Sequence, residues 1–363
     1  MTTYPPAMPP SEGVPAVDDR WLAVYVFYAG STRPLLTTCI KPLIAELTSE
    51  GLISQYFFLN YWLEGPHVRV RFKLVNPSDA TARSTVKARA EEAISAFLRR
   101  RPSLYEVTSD FYLGLYNTLF DLEYTDEQRQ AYLGEDGRMR LRANNSFHWT
   151  AYEPEYDKYG GPVGVDLAEW HFTRSTDLVL DSIAVMNLHM RSVLLGYAGQ
   201  LMMVMCSVFL DEGTAVVRFL ERYRDYWHSA FRGTDLVSGS DFDRNYDPMA
   251  AAVSERFTAI SNAVREGEGH RLPGSLGSWA AHCVELRRRI AALARSGQLA
   301  FPSWDHTHRV TVTDPDEATA RLLSAYLHMT NNRLHITLTD EAYLAHVLVR
   351  ALTEPSAEAE GVA

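Results

Sequence analysis

The segment His67–Leu74 (HVRVRFKL) constrains the fold most, because its alternation suits only an extended strand. Val68, Val70 and Phe72 fall on one face, and His67, Arg69, Arg71 and Lys73 on the other. A register slip of one residue would bury every charge, so the pairing of this strand is strongly specified. Its neighbours extend the pattern. Trp21–Tyr28 (WLAVYVFY) mixes aromatic and β-branched residues and precedes Gly30, which predicts a buried strand. Leu35, Leu36, Ile40, Leu43, Ile44 and Leu47 then recur at helical spacing up to a stop at Gly51. Gln55–Trp62 is a further strand, joined to His67–Leu74 through the turn signal Glu64-Gly65-Pro66, and Asp79–Arg100 is a long helix.

Strand, helix, hairpin and helix in this order predict a ferredoxin-like antiparallel sheet, completed by strands near Tyr105–Tyr112 and Phe147–Tyr152. Between those two lies Leu113–Asn145, with a short helical pattern at Thr125–Leu133 and a turn at Glu135-Asp136-Gly137. A connection of this length reads as a lid or docking element. From Gly164 onward the pattern is helical, over Asp166–Ser182, Arg191–Asp211, Glu212–Ser229, Met249–Arg265, Ser278–Ser296, Glu317–Asn331 and Asp340–Leu352. The fold class is α+β, a small antiparallel ferredoxin-like sheet packed against a larger helical part. The expected organisation is a disordered leader over 1–20, a single catalytic domain over 21–352 with an insertion at about 113–145, and a flexible tail over 353–363.

Charge and cysteine usage narrow the function classes. Thirty-five Lys and Arg against 45 Asp and Glu give a net charge of −10, which argues against direct binding of nucleic acid. The triplets Arg99–Arg101 and Arg287–Arg289 read as solvated faces or helix ends. Cys39, Cys206 and Cys283 are isolated, which fits buried thiols in a reducing compartment. The first twenty residues carry prolines and no apolar core of a signal peptide, so a cytoplasmic location is expected. Val193–Leu210 has the length of a membrane span but contains Gly196, Gly199 and Gln200, and a buried core helix is expected there, with no membrane partner.

Three polar constellations are candidates for chemistry. Arg69 and Arg71 project in parallel from their strand, with His67 beside them, and such a pair can hold a carboxylate, a phosphate or a developing oxyanion. The same alternation also suits a solvated face paired with surface carboxylates, and the pattern leaves both open. Tyr152-Glu153-Pro154-Glu155-Tyr156-Asp157-Lys158-Tyr159-Gly160-Gly161 is a polar segment whose double glycine permits close backbone approach, or else a solvent loop capping a helix. His328 lies on a helix with Asn331 and Asn332 three and four residues on, placed to fix the imidazole's tautomer, with Arg333 following. His148, His171, His282, His306, His308 and His335 show no metal-binding spacing, and no cofactor motif occurs, so no metal and no cofactor are expected.

Taken together and in order, these segments resemble the C-terminal, thiopeptide-type bacteriocin biosynthesis domain of lantibiotic dehydratases. The resemblance runs from Trp21 to about Leu352. Its carriers are the opening strand and helix, Tyr56-Phe57-Phe58 to Trp62, Pro66–Phe72, Tyr152–Gly161, Ala168-Glu169 with Ser175 and Asp177, and His328–Arg333. It implies an enzyme that modifies a ribosomally made precursor peptide, the leader and core of which are its partner. In full-length relatives this domain removes glutamate from glutamylated Ser or Thr to leave dehydroamino acids, which is the reaction expected first. A separate tRNA-dependent enzyme would then attach the glutamate.

The resemblance makes Arg69, Arg71 and His328 catalytic. The arginines would stabilise an enolate-like charge and the histidine would move the proton. Substrate-binding roles fall to His67, Tyr152, Glu153, Lys158, Tyr159, Asn331, Asn332 and Arg333. Relatives often carry an arginine where this chain has Pro154 or Lys158, and a lysine lacks the bidentate fork. The family also includes pyridine synthases, which join two dehydroalanines by a formal [4+2] cycloaddition and expel the leader. That reaction is the alternative, and a non-catalytic leader-peptide carrier binding by β-augmentation is a further one.

Overall fold

The computed structural model of the chain describes residues 17–105, 119–120, 124–230, 242–243, 246–305 and 307–354. It divides into two compact units, Met1–Val185 with Phe301–Val310, and Met186–Ala300 with Thr311–Ala363.

The first unit is built on the strands β1 (Trp21–Phe27), β2 (Ile53–Tyr61), β3 (His67–Leu74) and β4 (Ser146–Thr150). Their spatial order is β2-β3-β1-β4 and every pairing is antiparallel, the ferredoxin-like arrangement expected from the element order. Two helical stretches cross between strands. Helix α1 comprises Thr32–Leu35, one π-turn at Leu36–Ile40 and Lys41–Ser49, and helix α2 spans Ala80–Arg100. The Asp79 side chain caps α2 by accepting from the amides of Thr81 and Ala82, and Arg99 and Arg100 end it where cations suit the helix dipole.

Leu22, Val24, Val26, Val68, Val70 and Phe72 form the sheet's apolar face, buried with Leu36, Ile40 and Leu47 of α1 and Val86, Ala90 and Ile94 of α2. Fully burying side chains of this size contributes about 1.5–3 kcal/mol each, which is what fixes the register of β3. The opposite face therefore has to carry His67, Arg69, Arg71 and Lys73. Helix α5 (Pro162–Val185) runs along β2, where Thr176 Oγ1 accepts from the Phe58 amide at 3.4 Å and Asp177 accepts from the Tyr56 hydroxyl at 2.5 Å.

The second unit is helical. Its helices are α6 (Arg191–Phe209), α7 (Gly213–Ala230), α8 (Ala250–Arg265), α9 (Ser275–Arg295), α10 (Pro315–Arg333) and α11 (Leu338–Thr353). Helix α6 is long and apolar enough to cross a membrane, yet Leu201–Val204 and Met205–Phe209 are buried, as the polar interruptions at Gly196–Gln200 lead one to expect. Cys39, Cys206 and Cys283 are buried free thiols. Arg287 pairs with Asp211 at 2.5 Å and Asp316 at 3.2 Å, while Arg288 and Arg289 both pair with Glu285, so this triplet is a carboxylate-paired face in the body of α9.

Some boundaries differ from expectation for local reasons. Helix α5 starts at Pro162 because a proline fits the first helical turn, where its missing N–H costs nothing. Strand β4 ends at Thr150, and Tyr156–Tyr159 forms one helical turn, α4 in chain order after α3 (Asp126–Gln130). Residues 106–112 of the strand expected at Tyr105–Tyr112 lie outside the described residues. So do 1–16 of the expected leader, 113–118 and 121–123 of the insertion, His306, and 355–363 of the expected tail.

Candidate active site

In the first unit, register assembles the polar face of the sheet. Tyr25 and Leu59 stand opposite Arg69, Ala23 and Phe57 opposite Arg71, and Phe27 and Tyr61 opposite His67. The Arg69 guanidinium carbon lies 3.5 Å from the Tyr61 ring centre and 4.5 Å from that of Tyr25. That of Arg71 lies 4.5 Å from the Tyr152 ring and 5.0 Å from Phe57. Aromatic faces attract a cation but satisfy none of its N–H donors. Both arginines are half-buried, and among the described residues neither has a carboxylate partner. Among the described residues, Arg71 Nε is buried without a hydrogen-bond acceptor. A net deficit of acceptors around two guanidinium groups is the electrostatic condition of an anion or oxyanion site.

His67 completes the row. Its Nδ1 donates to the Gly65 carbonyl at 2.8 Å, and its Nε2 therefore accepts from Arg69 Nε at 3.1 Å. Burial, reinforced by the Arg69 charge, pushes the imidazole down to about 3, so it is a neutral acceptor that aims the guanidinium. Lys73 at the end of the row differs. Its ammonium lies 3.2 Å from Glu169, which is fully buried, and 3.7 Å from Asp166. Burial raises the Glu169 carboxyl above its ordinary range, against the pull of Lys73.

The described part of the insertion packs along the other end of the ledge. The Tyr124 and Tyr61 hydroxyls are 2.8 Å apart, Phe120 stands edge-on to Trp62, and Arg140 and Arg142 each reach Glu64 at 3.1 Å. Burial raises the Tyr132 phenol and lowers the His148 imidazole, the latter with help from Arg142 and Arg69. A small cavity of about 180 Å³ opens here, lined by Phe27, Gly65, Pro66, Leu141, Arg142 and Asn144.

The Tyr152–Gly161 segment is more structural than its composition suggests. Tyr152 is buried beneath Arg71, and burial with the neighbouring Glu169 holds its phenol well above the ordinary value. Tyr159 is buried edge-on against Phe172. Lys158 is occupied by Glu155 at 3.4 Å, and Glu153 is exposed. Gly160 has φ +82° and closes the helical turn, where an added Cβ would meet the Phe301 ring at 2.8 Å. That glycine serves packing and leaves no room there for a ligand; Gly161 remains open.

In the second unit, His328 sits on α10 with Nδ1 2.9 Å from Glu341 Oε1 and its ring tilted against Trp227 at 5.6 Å. Glu341 is fully buried, and its other oxygen accepts from the Tyr223 hydroxyl. The imidazole is thus held by Glu341 and not by the following asparagines. Asn331 is buried against Met202, its Nδ2 3.5 Å from the sulfur, because that side of α10 faces the unit's interior. Asn332 is half-buried on the same turn. Arg333 is wholly buried and donates to the Met329 carbonyl at 2.7 Å, which ties it to the core.

Of the residues singled out from sequence, the first unit brings together His67, Arg69, Arg71 and Tyr152. Tyr25, Tyr61 and Tyr132 around them, and Glu341 with Tyr223 around His328, were not marked by the sequence, and Glu169 was marked only as a carrier of the family resemblance, with no role at the site. The tyrosines on β1 and β2 were findable once register was known; Glu341 follows no spacing rule from His328. Among the described residues no group of three or more His, Cys, Asp or Glu is placed to hold a metal ion.

Comparison with known proteins places this geometry in context. The family described as lantibiotic biosynthesis dehydratase C-term matches residues 21–352. No curated protein sequence matches the chain. Among solved structures, the pyridine synthase TbtD from thiomuracin biosynthesis is similar with a TM-score of 0.70 at 21% identity, over 95% of this chain and 100% of that one. TsrL is similar with a TM-score of 0.62 at 17% identity, over 91% of this chain and 93% of that one. The tRNA-dependent lantibiotic dehydratase MibB from Microbispora sp. 107891 has a TM-score of 0.51 at 17% identity, over 95% of this chain but 28% of that one.

Proposed function

Because the chain belongs to the lantibiotic biosynthesis dehydratase C-terminal family, we propose that it is an enzyme that modifies a ribosomally synthesised precursor peptide, and that its reaction is the formal [4+2] cycloaddition of two dehydroalanines. The observation that carries the reading is the pair of half-buried guanidinium groups, Arg69 and Arg71, bedded on aromatic rings and, among the described residues, with no carboxylate to neutralise them. Such groups stabilise negative charge developing on an amide oxygen as one dehydroalanine takes its imidic acid form. Two bonds then join it to the second dehydroalanine, and loss of water and of the leader as its amide gives the pyridine. His328 is the proton-transfer group in this scheme, and Tyr152, under Arg71, holds that guanidinium in place. Likeness to TbtD over 95% of this chain and 100% of that one supports this reading over the elimination expected first.

Elimination of glutamate from glutamylated Ser or Thr is the second reading, favoured by His328, whose contact with a carboxylate suits the removal of an α-proton. It is weakened by Lys158, the candidate replacement for a family arginine, which is engaged with Glu155. Incubation of the purified protein with a dehydrated precursor carrying two dehydroalanines should release an intact leader amide, read by mass spectrometry. Loss of glutamate from a glutamylated precursor with no leader release would replace cyclisation by elimination. Measurable binding of the precursor with no change in either substrate would leave a carrier and sink both.

A further inference from the structure

We propose that Glu341 is a positioning residue that fixes the tautomer of His328, with Tyr223 locking its carboxylate from behind. The inference rests on the assignment of proton transfer to His328 above and deepens it. All three groups belong to the second unit. The Glu341 backbone is held first. Thr337 caps α11, its hydroxyl accepting from the Asp340 amide while the Asp340 carboxylate reaches back to the Thr337 amide, and the Glu341 amide donates to the Thr337 carbonyl at 2.9 Å. Its side chain then has both oxygens engaged, one by His328 Nδ1 and one by the Tyr223 phenol. Burial and the adjacent carboxylate keep that phenol well above its ordinary range, so it remains a donor.

A carboxylate accepts and cannot donate, so an imidazole whose Nδ1 lies 2.9 Å from it carries its proton on Nδ1. Nε2 is left as the basic nitrogen. Trp227, four residues after Tyr223 and so on the same face of α7, presses on the imidazole and limits its rotation. The proton moved in catalysis is taken up at Nε2 and returned from Nε2, and Nδ1–H stays on the ring throughout. Burying a carboxylate at 0% exposure is costly, and a hydrogen-bonded role for both of its oxygens accounts for its presence.

The full-length protein labelled with ¹⁵N-histidine reports the tautomer directly, through long-range ¹H–¹⁵N correlations of the His328 ring. The wild type should show Nδ1 protonated. Glu341→Gln should shift the ring toward the Nε2-protonated form and lower kcat about 100-fold, with KM changed less than about threefold, because the loss falls on the transition state. Glu341→Asp should keep the Nδ1 tautomer and at least about a tenth of the activity. Should Glu341→Gln fail to fold, Tyr223→Phe, which loosens the same carboxylate, should broaden the Nδ1 signal and lower kcat by about tenfold. An unchanged tautomer with unchanged kcat in the variant that folds overturns the proposal. The tautomer needs no substrate to be read, so a wild type with Nδ1 protonated that turns over neither peptide defeats the proposed function and leaves the positioning role standing.

Discussion

The two ends of β3 carry like charges in opposite electrostatic states. At Lys73, α5 supplies Glu169 and Asp166, and the cation is paired. At Arg69 and Arg71 the same face meets the rings of Tyr25, Tyr61, Phe57 and Tyr152. A ring over a guanidinium contributes about 0.5–2 kcal/mol and leaves the N–H donors unspent. The difference shows that a strand's own pattern sets which face is cationic, while the elements covering that face decide whether the charge supports the fold or stays available to a ligand. Substitution at each end separates the two states.

The largest effect is expected at the paired end and on stability. Lys73→Ala leaves a carboxylate of 0% exposure without its cation, which costs about 3–5 kcal/mol in denaturant unfolding. Adding Glu169→Gln should recover most of that loss. Equal unfolding free energies for Lys73→Ala and Arg71→Ala would mean that the ends do not differ. At the open end the effect moves to turnover. Arg71→Ala should lower kcat about 10²- to 10³-fold, as loss of an oxyanion donor does, with unfolding free energy changed by less than about 1 kcal/mol. A variant that unfolds instead of losing turnover would make Arg71 a structural cation like Lys73.

The strand and its cationic face were legible in the sequence, and the contrast between its two ends was not. β3 occupies the predicted His67–Leu74, since a strict period of two fixes both limits and face. The sheet order followed from the order of strands and helices, and the later helices from their apolar spacing. What stayed hidden depends on pairing between distant segments. The rings beneath Arg69 come from two other strands, and Glu169, quoted only for the family resemblance, reaches Lys73 from a distant helix. The near neighbours Asn331 and Asn332 drew attention at His328 because helical spacing is the only local rule there. The carboxylate that meets the ring lies thirteen residues on, beyond a helix end.

His67 stands at the open end and gives the next effect in size. Its folded value of about 3 lies below the ordinary 6.5, so the unfolded chain takes up the proton first. Its contribution to stability is complete above pH 6.5 and is lost as pH falls toward 3. By pH 5 the loss amounts to about 2 kcal/mol. His67→Gln removes the titration, so its stability should fall by about 2 kcal/mol less than that of the wild type between about pH 7.5 and 5. Parallel falls in wild type and variant would place the imidazole in contact with water and remove it as the fixed acceptor of Arg69.

The smallest effect tests whether the open end needs a particular cation or any cation. Arg69 lies between two tyrosine rings and spends its Nε on His67 at 3.1 Å, and among the described residues its terminal nitrogens have no acceptor. A lysine keeps the charge but offers no plane to stack and no donor at the Nε position. Arg69→Lys should therefore lower kcat about tenfold, equivalent to about 1.4 kcal/mol, with little change in stability. At the other end the charge alone matters, because Glu169 needs a neutralising partner and not a fork. Lys73→Arg should accordingly change turnover less than about threefold. If both exchanges are silent, the ledge acts through net charge alone, and the aromatic bedding of Arg69 contributes packing without aiming its donors.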